Sequence, residues 1–192
     1  TGIDPDHPDL KDAIMDAVSF VPGESYRDGH GHGTHVAGTI AARKNGLGVV
    51  GVAPECQLYI AKVLSDQGYG DEAWIAEGVK WGIKQGVHII NMSLGSPQAN
   101  ATLYQAIRDA YNTGIATICA AGNEGDDNPF TDEILYPAKY PETIAVAAIT
   151  ALGSHAPYSS QGYALDCAAP GSDILSTIPG GRYSQYSGTS MA

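Results

Sequence analysis

Four apolar segments rich in β-branched residues, separated by amphipathic stretches, constrain the fold of this chain most strongly. The segments cover residues 57–64, 88–94, 115–121 and 143–149. Each is nearly continuously apolar, which is typical of strands that are covered on both faces. Because strands and helices alternate at this spacing, the sequence predicts an α/β fold with a mainly parallel sheet. In such folds ligands bind beyond the carboxyl ends of the strands, so we expect the working loops to follow Leu64, Leu94 and Ala121.

Three helices are predicted from periodicity and from their end signals. They cover residues 34–42, 71–85 and 101–112. Gly86 and Gly114 are typical helix stop residues, and Asn100 is a suitable N-cap for the third helix. From residue 126 onwards turns are frequent and periodicity is weak, so we expect loops and short strands there.

Composition narrows the function classes. The chain has 192 residues, 21 acidic against 10 basic, and a formal net charge of -11. A chain of this length fits one domain. Excess negative charge argues against nucleic acid as a partner, and acidic loops favour a cation such as calcium. No apolar run is long enough to span a membrane, so no membrane partner is expected.

The three cysteines are Cys56, Cys119 and Cys167, and no two have C-x-x-C spacing. This pattern indicates neither a zinc site nor a disulfide framework. We interpret them as small core residues, and free thiols favour a reducing compartment.

Three familiar patterns are set aside. Residues 46–51 match G-x-G-x-x-G, but these glycines follow a predicted helix rather than opening one, so a dinucleotide site is not indicated. His30, His32 and His35 have no acidic or thiol partner at helical spacing, which argues against zinc. Residues 188–192 resemble a lipase elbow, but that fold requires its histidine after the serine.

Three further segments together contain the residue types that a catalytic site for acyl transfer needs. They are residues 32–38, 120–125 and 188–192, and they contain His32, Asn123 and Ser190. Acyl transfer to an alcohol needs a base, a donor for the oxyanion and a nucleophile, and these residues supply all three. His32 opens the small-residue helix, whose positive end disfavours the imidazolium form. Gly33 and Gly38 allow that helix to pack closely against its neighbours.

These segments resemble the subtilase family of serine proteases. The histidine, oxyanion-asparagine and serine motifs occur in the family's order, and the resemblance covers essentially the whole chain. Further matching segments are 51–54, 91–95, 136–141 and 169–171. The resemblance implies a three-layer α/β/α fold with a mainly parallel central sheet, as a single catalytic domain over 1–192 that is truncated at both ends. It also implies a cis peptide bond at Tyr136-Pro137.

The resemblance implies a serine endopeptidase. His32 takes the proton of Ser190 and passes it to the leaving amine, while Asn123 donates to the oxyanion of the tetrahedral intermediate. The family's catalytic Asp immediately precedes a Thr/Ser-Gly pair, which here is Thr1-Gly2, so we expect that Asp to lie outside this chain. We therefore expect a fragment that is inactive alone. If the Asp is replaced in the longer protein, the alternative is a non-catalytic domain that binds peptides.

The resemblance also implies a substrate cleft for extended protein or peptide chains, with a propeptide or an inhibitor as further partners. Its two backbone edges are Gly68, Tyr69 and Gly70 on one side and Ser93, Leu94 and Gly95 on the other. The P1 pocket, which takes the side chain before the scissile bond, lies between the second edge and Ala120, Ala121 and Gly122. Family pockets of this kind take large apolar side chains.

Structural calcium is the implied cofactor. The ligands carried over from the family are Asp9, Arg43, Asn45, Leu47 and Val49, with carboxylate, amide and backbone oxygens. A second, weak cation site near Ala138 and Tyr140 is left open.

Among subtilases, the chain resembles the intracellular bacterial enzymes. Cys119 precedes the oxyanion turn, and an acidic stretch, 126–133, follows it. Together with the free thiols this favours a cytoplasmic location, with secretion as the alternative.

Overall fold

The computed structural model describes residues 1–126, 128 and 130–192; Asp127 and Pro129 of the acidic stretch lie outside the described residues. The chain divides into two compact units. The first unit contains Thr1–Gln85 and Leu175–Gln185, and the second contains Gly86–Ile174 and Tyr186–Ala192. The assignment of residues 1–192 to one domain stays a prediction.

Strands and helices alternate along the first two thirds of the chain, and short strands follow. In chain order the elements are β1 Ile14–Ser19, α1 His32–Ala41, β2 Leu58–Lys62, α2 Glu72–Gln85, β3 Ile89–Met92, α3 Ala101–Asn112, β4 Ala116–Ala120, β5 Thr143–Ile149, β6 Cys167–Pro170, β7 Ile174–Ile178 and β8 Arg182–Tyr186. No helix in the described ranges is both long enough and apolar enough to cross a membrane.

The first unit is built on a parallel pair of strands. β1 pairs with β2, α2 packs against β2, and β7 pairs with β8. Ile3, Leu10 and Ala37 form a buried cluster, and partly buried residues of β1 and β2 pack against it. This core places the start of α1 beside the first residues of the chain.

The second unit contains a four-stranded parallel sheet in the order β3-β4-β5-β6. α3 packs against β4, and its N-terminus is capped as predicted, because the Asn100 Oδ1 accepts hydrogen bonds from the N–H groups of Thr102 and Leu103 at 2.9 and 3.1 Å. All pairings in this sheet are parallel, so the carboxyl ends of its strands lie at one edge.

The predicted α/β class with parallel strands is confirmed, and so are the four predicted strands and three predicted helices, within a few residues at their ends. The two faces of the sheet in the second unit differ in exposure. Ile89 is 61% exposed and Ile144 is 38% exposed. In-register pairing of Ile89 with Ala116 and of Ile118 with Ile144 puts these residues on one face. α3 instead packs against β4, where Thr117 and Cys119 are buried.

Candidate active site

The first unit presents the predicted base at a helix start. His32 is the first residue of α1, as expected, and it is half-buried. Gly31 precedes it with φ 106°, and no side chain at that position caps the helix. The helix is capped instead by the side chain of Asp28, which precedes it in sequence. Its Oδ1 accepts from the N–H groups of His30 and Gly31, and its Oδ2 accepts from the N–H and hydroxyl of Thr34, all between 2.7 and 3.0 Å.

Asp28 is buried yet ionised. Burial opposes its charge, but the hydrogen bonds from Gly31, Thr34 and Thr1 outweigh this, so the pKa of Asp28 is lowered. A fixed carboxylate at the first turn accepts hydrogen bonds from N–H groups that have no partner within the helix. Its negative charge also interacts favourably with the positive end of the helix dipole. Sequence analysis missed Asp28, because its distance from the helix start departs from ordinary N-cap spacing.

A second anchor ties Thr1 to this helix. The Thr1 hydroxyl donates to the Asp28 carboxylate and accepts from the Gly33 N–H, at 2.8 Å each. A Cβ on Gly33 would overlap the carbonyl oxygen of Gly2, so the close approach requires glycine. Thr1 and Gly2 are therefore packed against the first turn of α1.

Lys62 is a buried cation that contacts Thr1, and its side chain is fully inaccessible to solvent. Its ammonium donates to the Thr1 carbonyl oxygen. It also donates to the Asp66 carboxylate at 2.9 Å, and it lies 3.3 Å from the Glu24 carboxylate. A buried charge is tolerated only when it is paired and hydrogen-bonded, and here three oxygens surround it. Sequence analysis missed this group as well; the available signal was a lysine inside an apolar strand with an acid four residues later.

Burial lowers the pKa of His32 from 6.5 to about 4, and the neighbouring His30 acts in the same direction. The imidazole is therefore neutral near pH 7 and able to accept a proton. The direction agrees with the sequence expectation, although burial rather than the helix end is the leading cause.

The second unit brings Asn123 to the segment of the predicted nucleophile. Asn123 follows β4 in an exposed turn, and its Oδ1 accepts from the N–H of Thr189 at 2.9 Å and from the Thr189 hydroxyl at 3.1 Å. Gly122, with φ 119°, also bonds to the Thr189 hydroxyl through its N–H. With Oδ1 held in this way, the Nδ2 group is left as the free donor of the amide among the described residues.

Ser190 is half-buried and lies next to Ser93. The Ser93 hydroxyl donates to the Ser190 carbonyl oxygen at 3.0 Å, and the Ser190 hydroxyl lies 3.5 Å from the Ser93 carbonyl oxygen. The second unit thus joins three of the predicted segments: the end of β3, the end of β4 and the serine turn. This arrangement puts a hydroxyl and an amide donor near the carboxyl ends of β3 and β4.

The remaining predicted substrate residues lie in loops. Ser93, Leu94 and Gly95 follow β3, and Ala120, Ala121 and Gly122 end or follow β4, all in the second unit. Gly68, Tyr69 and Gly70 lie between β2 and α2 in the first unit, where the Ser65 N–H donates to the Tyr69 carbonyl oxygen at 2.7 Å. The Tyr69 side chain is 79% exposed. The two predicted edges of the cleft therefore belong to different units.

The predicted calcium residues come together around Asp9. Its Oδ1 accepts from the Asn45 amide at 3.1 Å, and its Oδ2 accepts from the Val49 N–H at 3.1 Å and from the Tyr183 hydroxyl at 2.9 Å. The Arg43 N–H donates to the Asp9 carbonyl oxygen, and the Leu47 N–H donates to the Asn45 Oδ1. Tyr183 was not predicted; contact with Asp9 helps to raise its pKa, after burial.

The donor set fits a hard cation. Asp9 is fully buried and is held by neutral donors, with no salt bridge to a basic side chain among the described residues. A buried carboxylate without a counter-ion is costly, and a carboxylate is a ligand that Ca²⁺ prefers, so Asp9 is suited to hold such an ion. No group of three or more His, Cys, Asp or Glu side chains suited to a metal occurs among the described residues.

At the second cation position left open by the sequence, the Thr143 hydroxyl lies 3.2 Å from the Ala138 carbonyl oxygen and 2.9 Å from that of Tyr140. The predicted cis peptide bond at Tyr136-Pro137 is confirmed.

Comparison with known proteins gives one family. Residues 1–192 match the subtilase family, peptidase S8. The chain is 50% identical to subtilisin E of Bacillus subtilis (strain 168) over 194 residues, which is all of this chain and 50% of that protein. It is also 50% identical to a subtilisin of Bacillus pumilus (all of this chain, 70% of that protein) and to an intracellular serine protease of Paenibacillus polymyxa (all of this chain, 60% of that protein). The chain thus spans about half the length of the first of these relatives.

Proposed function

Because this chain belongs to the subtilase family, we propose that the protein containing it is a serine-type endopeptidase with Ser190 as nucleophile, His32 as general base and Asn123 as oxyanion donor. The observation that carries the proposal is the orientation of the Asn123 amide. Thr189, the residue before Ser190, holds its Oδ1, so that Nδ2 is free to donate next to the nucleophile's own segment.

The chemistry follows from these groups. The Ser190 Oγ attacks the carbonyl carbon of the scissile bond as its proton moves to the His32 imidazole, which is neutral because its pKa is lowered to about 4. The carbonyl oxygen becomes an oxyanion and accepts a hydrogen bond from Asn123. The protonated imidazole then gives its proton to the leaving amine, and an acyl-enzyme remains.

Water completes the reaction. The imidazole accepts a proton as water attacks the acyl carbon, and it returns a proton to Ser190 as the peptide acid leaves. The proposal requires the imidazole to reach the hydroxyl. It further requires an Asp before Thr1 to orient the ring. The Thr1, Asp28 and Lys62 network supports this, because it fixes Thr1 to the helix that begins at His32.

The proposed substrates are extended polypeptides, whose backbone would add as a strand along Ser93–Gly95 and along Gly68–Gly70. Calcium is proposed as a structural ion, held by Asp9 and Asn45 side chains and by the carbonyl oxygens of Arg43, Leu47 and Val49. Its role is to neutralise the buried carboxylate and to stabilise the loop; it takes no part in bond cleavage. We also propose a cytoplasmic location, which the three free cysteines and the acidic charge support.

A fluorophosphonate probe, which modifies activated serines, tests this function in the full-length protein. We expect labelling and casein hydrolysis by the wild type and by Ser187→Ala, a matched control three residues away, and neither by Ser190→Ala. Peptide binding without labelling or hydrolysis would refute the enzyme and leave the non-catalytic alternative.

A further inference from the structure

The side chain of Leu135 lies between the two walls predicted for the P1 pocket. An ideal Cβ built on Gly95 would be 2.9 Å from the Leu135 Cβ and 3.0 Å from its Cδ1. A Cβ built on Gly122 would be 2.8 Å from the Leu135 Cγ and 3.1 Å from the same Cδ1. One methyl group therefore contacts a glycine on each wall, and the leucine bridges the space between them.

Backbone hydrogen bonds fix this leucine in place. The Leu135 N–H donates to the Ala121 carbonyl oxygen at 2.9 Å, which ties its backbone to one wall. The next residue, Tyr136, exchanges two hydrogen bonds with Ser96 at 2.8 and 2.9 Å, and this antiparallel bridge ties it to the other wall. Since both neighbouring walls hold the segment, the backbone of Leu135 is fixed next to them.

The pocket's position relative to the chemistry follows from the same residues. Gly122 immediately precedes Asn123, and Ser93, at the start of the other wall, contacts Ser190. If the scissile carbonyl group of a substrate lies at Asn123 and Ser190, the side chain before the scissile bond would lie close to these walls. The walls carry glycine where they face the leucine, so Leu135 sets the depth available.

We propose that Leu135 determines P1 specificity by closing the far end of this pocket, so that the enzyme cleaves after small residues such as alanine rather than after large aromatic ones. This inference rests on the proposed endopeptidase function and replaces the sequence expectation of a large apolar P1 residue. The proposed preference has a steric cause. A phenylalanine ring of the substrate and the Leu135 side chain would occupy the same space, and well-packed sites resist added volume.

The test compares two peptide substrates that differ only in Ala or Phe before the scissile bond, with the full-length protein. We expect the wild type to favour the alanine substrate in kcat/KM. Leu135→Gly and Leu135→Ala should shift the Phe-to-Ala ratio upwards by about 10-fold or more, which is the range that small changes in an apolar pocket produce. Leu165→Ala, a half-buried leucine elsewhere in the second unit, should leave the ratio unchanged.

Fluorophosphonate labelling of each variant distinguishes a failure of the proposed role of Leu135 from a failure of the proposed endopeptidase function. Labelled wild type that prefers phenylalanine, or labelled Leu135 variants with an unchanged ratio, would overturn the role of Leu135 and leave the endopeptidase intact. Wild type that is not labelled would overturn the proposed function, and this inference with it. The wild-type preference does not depend on whether the variants fold.

Discussion

Thr189 holds the side-chain oxygen of Asn123 with two hydrogen bonds, from its N–H at 2.9 Å and from its hydroxyl at 3.1 Å. This contact links the proposed oxyanion donor to the residue before the proposed nucleophile. The amide is therefore oriented before substrate binds, and electrostatic stabilisation of a transition state depends on such preorganisation.

Replacing the donor tests its chemical role. Asn123→Ala should lower kcat by about 10²–10³-fold with little change in KM, because the lost hydrogen bond forms mainly in the transition state. Steady-state kinetics of the full-length protein on a peptide substrate measure this. Asn112→Ala, at the exposed end of α3, is the control and should behave as wild type. A rise in KM with kcat unchanged would instead assign Asn123 to ground-state binding.

Replacing Thr189 tests the orientation of the amide. Thr189→Val keeps the shape and the backbone N–H but removes the hydroxyl, so the loss in kcat should be about 10-fold, smaller than that of Asn123→Ala. Thr189→Ser keeps the hydroxyl and should restore most of the rate. If the serine and valine variants have equal kcat values, the hydroxyl does not position Asn123.

The pH dependence follows from the burial of His32, which lowers its pKa from 6.5 to about 4. Only the neutral imidazole accepts a proton, so the acid limb of kcat/KM should lie below pH 6.5. The unfolded chain binds the proton at higher pH than the folded protein, so folding stability should fall as pH drops from 6.5 towards 4.

Urea unfolding at pH 7 and pH 4.5 measures the second effect. His32→Gln should reduce the pH dependence in this window, whereas His88→Gln, at an exposed site, should retain it. Equal pH dependence in wild type and His32→Gln would show that His32 does not titrate with a lowered pKa.

Calcium should stabilise the protein through Asp9. At about 100 times its dissociation constant a ligand adds about 2.7 kcal/mol to the free energy of unfolding, or about 5–10 °C in Tm for a chain of this size. Chelation should lower the Tm of the wild type by this amount and leave that of Asp9→Asn unchanged. Asp12→Asn, an exposed acid nearby, should respond like the wild type. A wild type whose Tm is insensitive to chelator would contradict the site.

The buried ammonium of Lys62 gives a stability prediction. Lys62→Met leaves Glu24 and Asp66 without their cation, but these carboxylates are 25% and 41% exposed, so the loss should stay below the 3–5 kcal/mol that is roughly typical of a broken buried pair. Lys80→Met removes an exposed pair with Glu77 and should cost less than about 1 kcal/mol. Chemical denaturation compares the two, and equal losses would show that burial of Lys62 carries no extra weight.

Local patterns predicted much of this structure. The continuous apolar runs gave β2 to β5 within a few residues, and Asn100 with Gly114 marked the ends of α3, because strand burial and helix caps depend on neighbours in sequence. β8, Arg182–Tyr186, is largely polar and was not predicted individually, since its pairing with β7 gives no apolar signal.

The site was predicted only where the motif contains the reacting atoms. Asp28 lies outside the motifs, and Thr189 lies inside the serine motif but contacts Asn123, which is 66 residues away; single-sequence patterns carry no record of such contacts. The exposed face with Ile89 and Ile144 shows the same limit, because an apolar run does not reveal which layer covers it.

The central claim is that His32 and Ser190 act as one catalytic unit, and a double-variant cycle tests it most directly. The measurement is kcat for His32→Ala, Ser190→Ala and the double variant of the full-length protein. Residues that act as a unit are strongly non-additive, so we predict that the double variant is within about threefold of the slower single variant. Losses that multiply, or a His32→Ala variant with near wild-type kcat, would contradict the account.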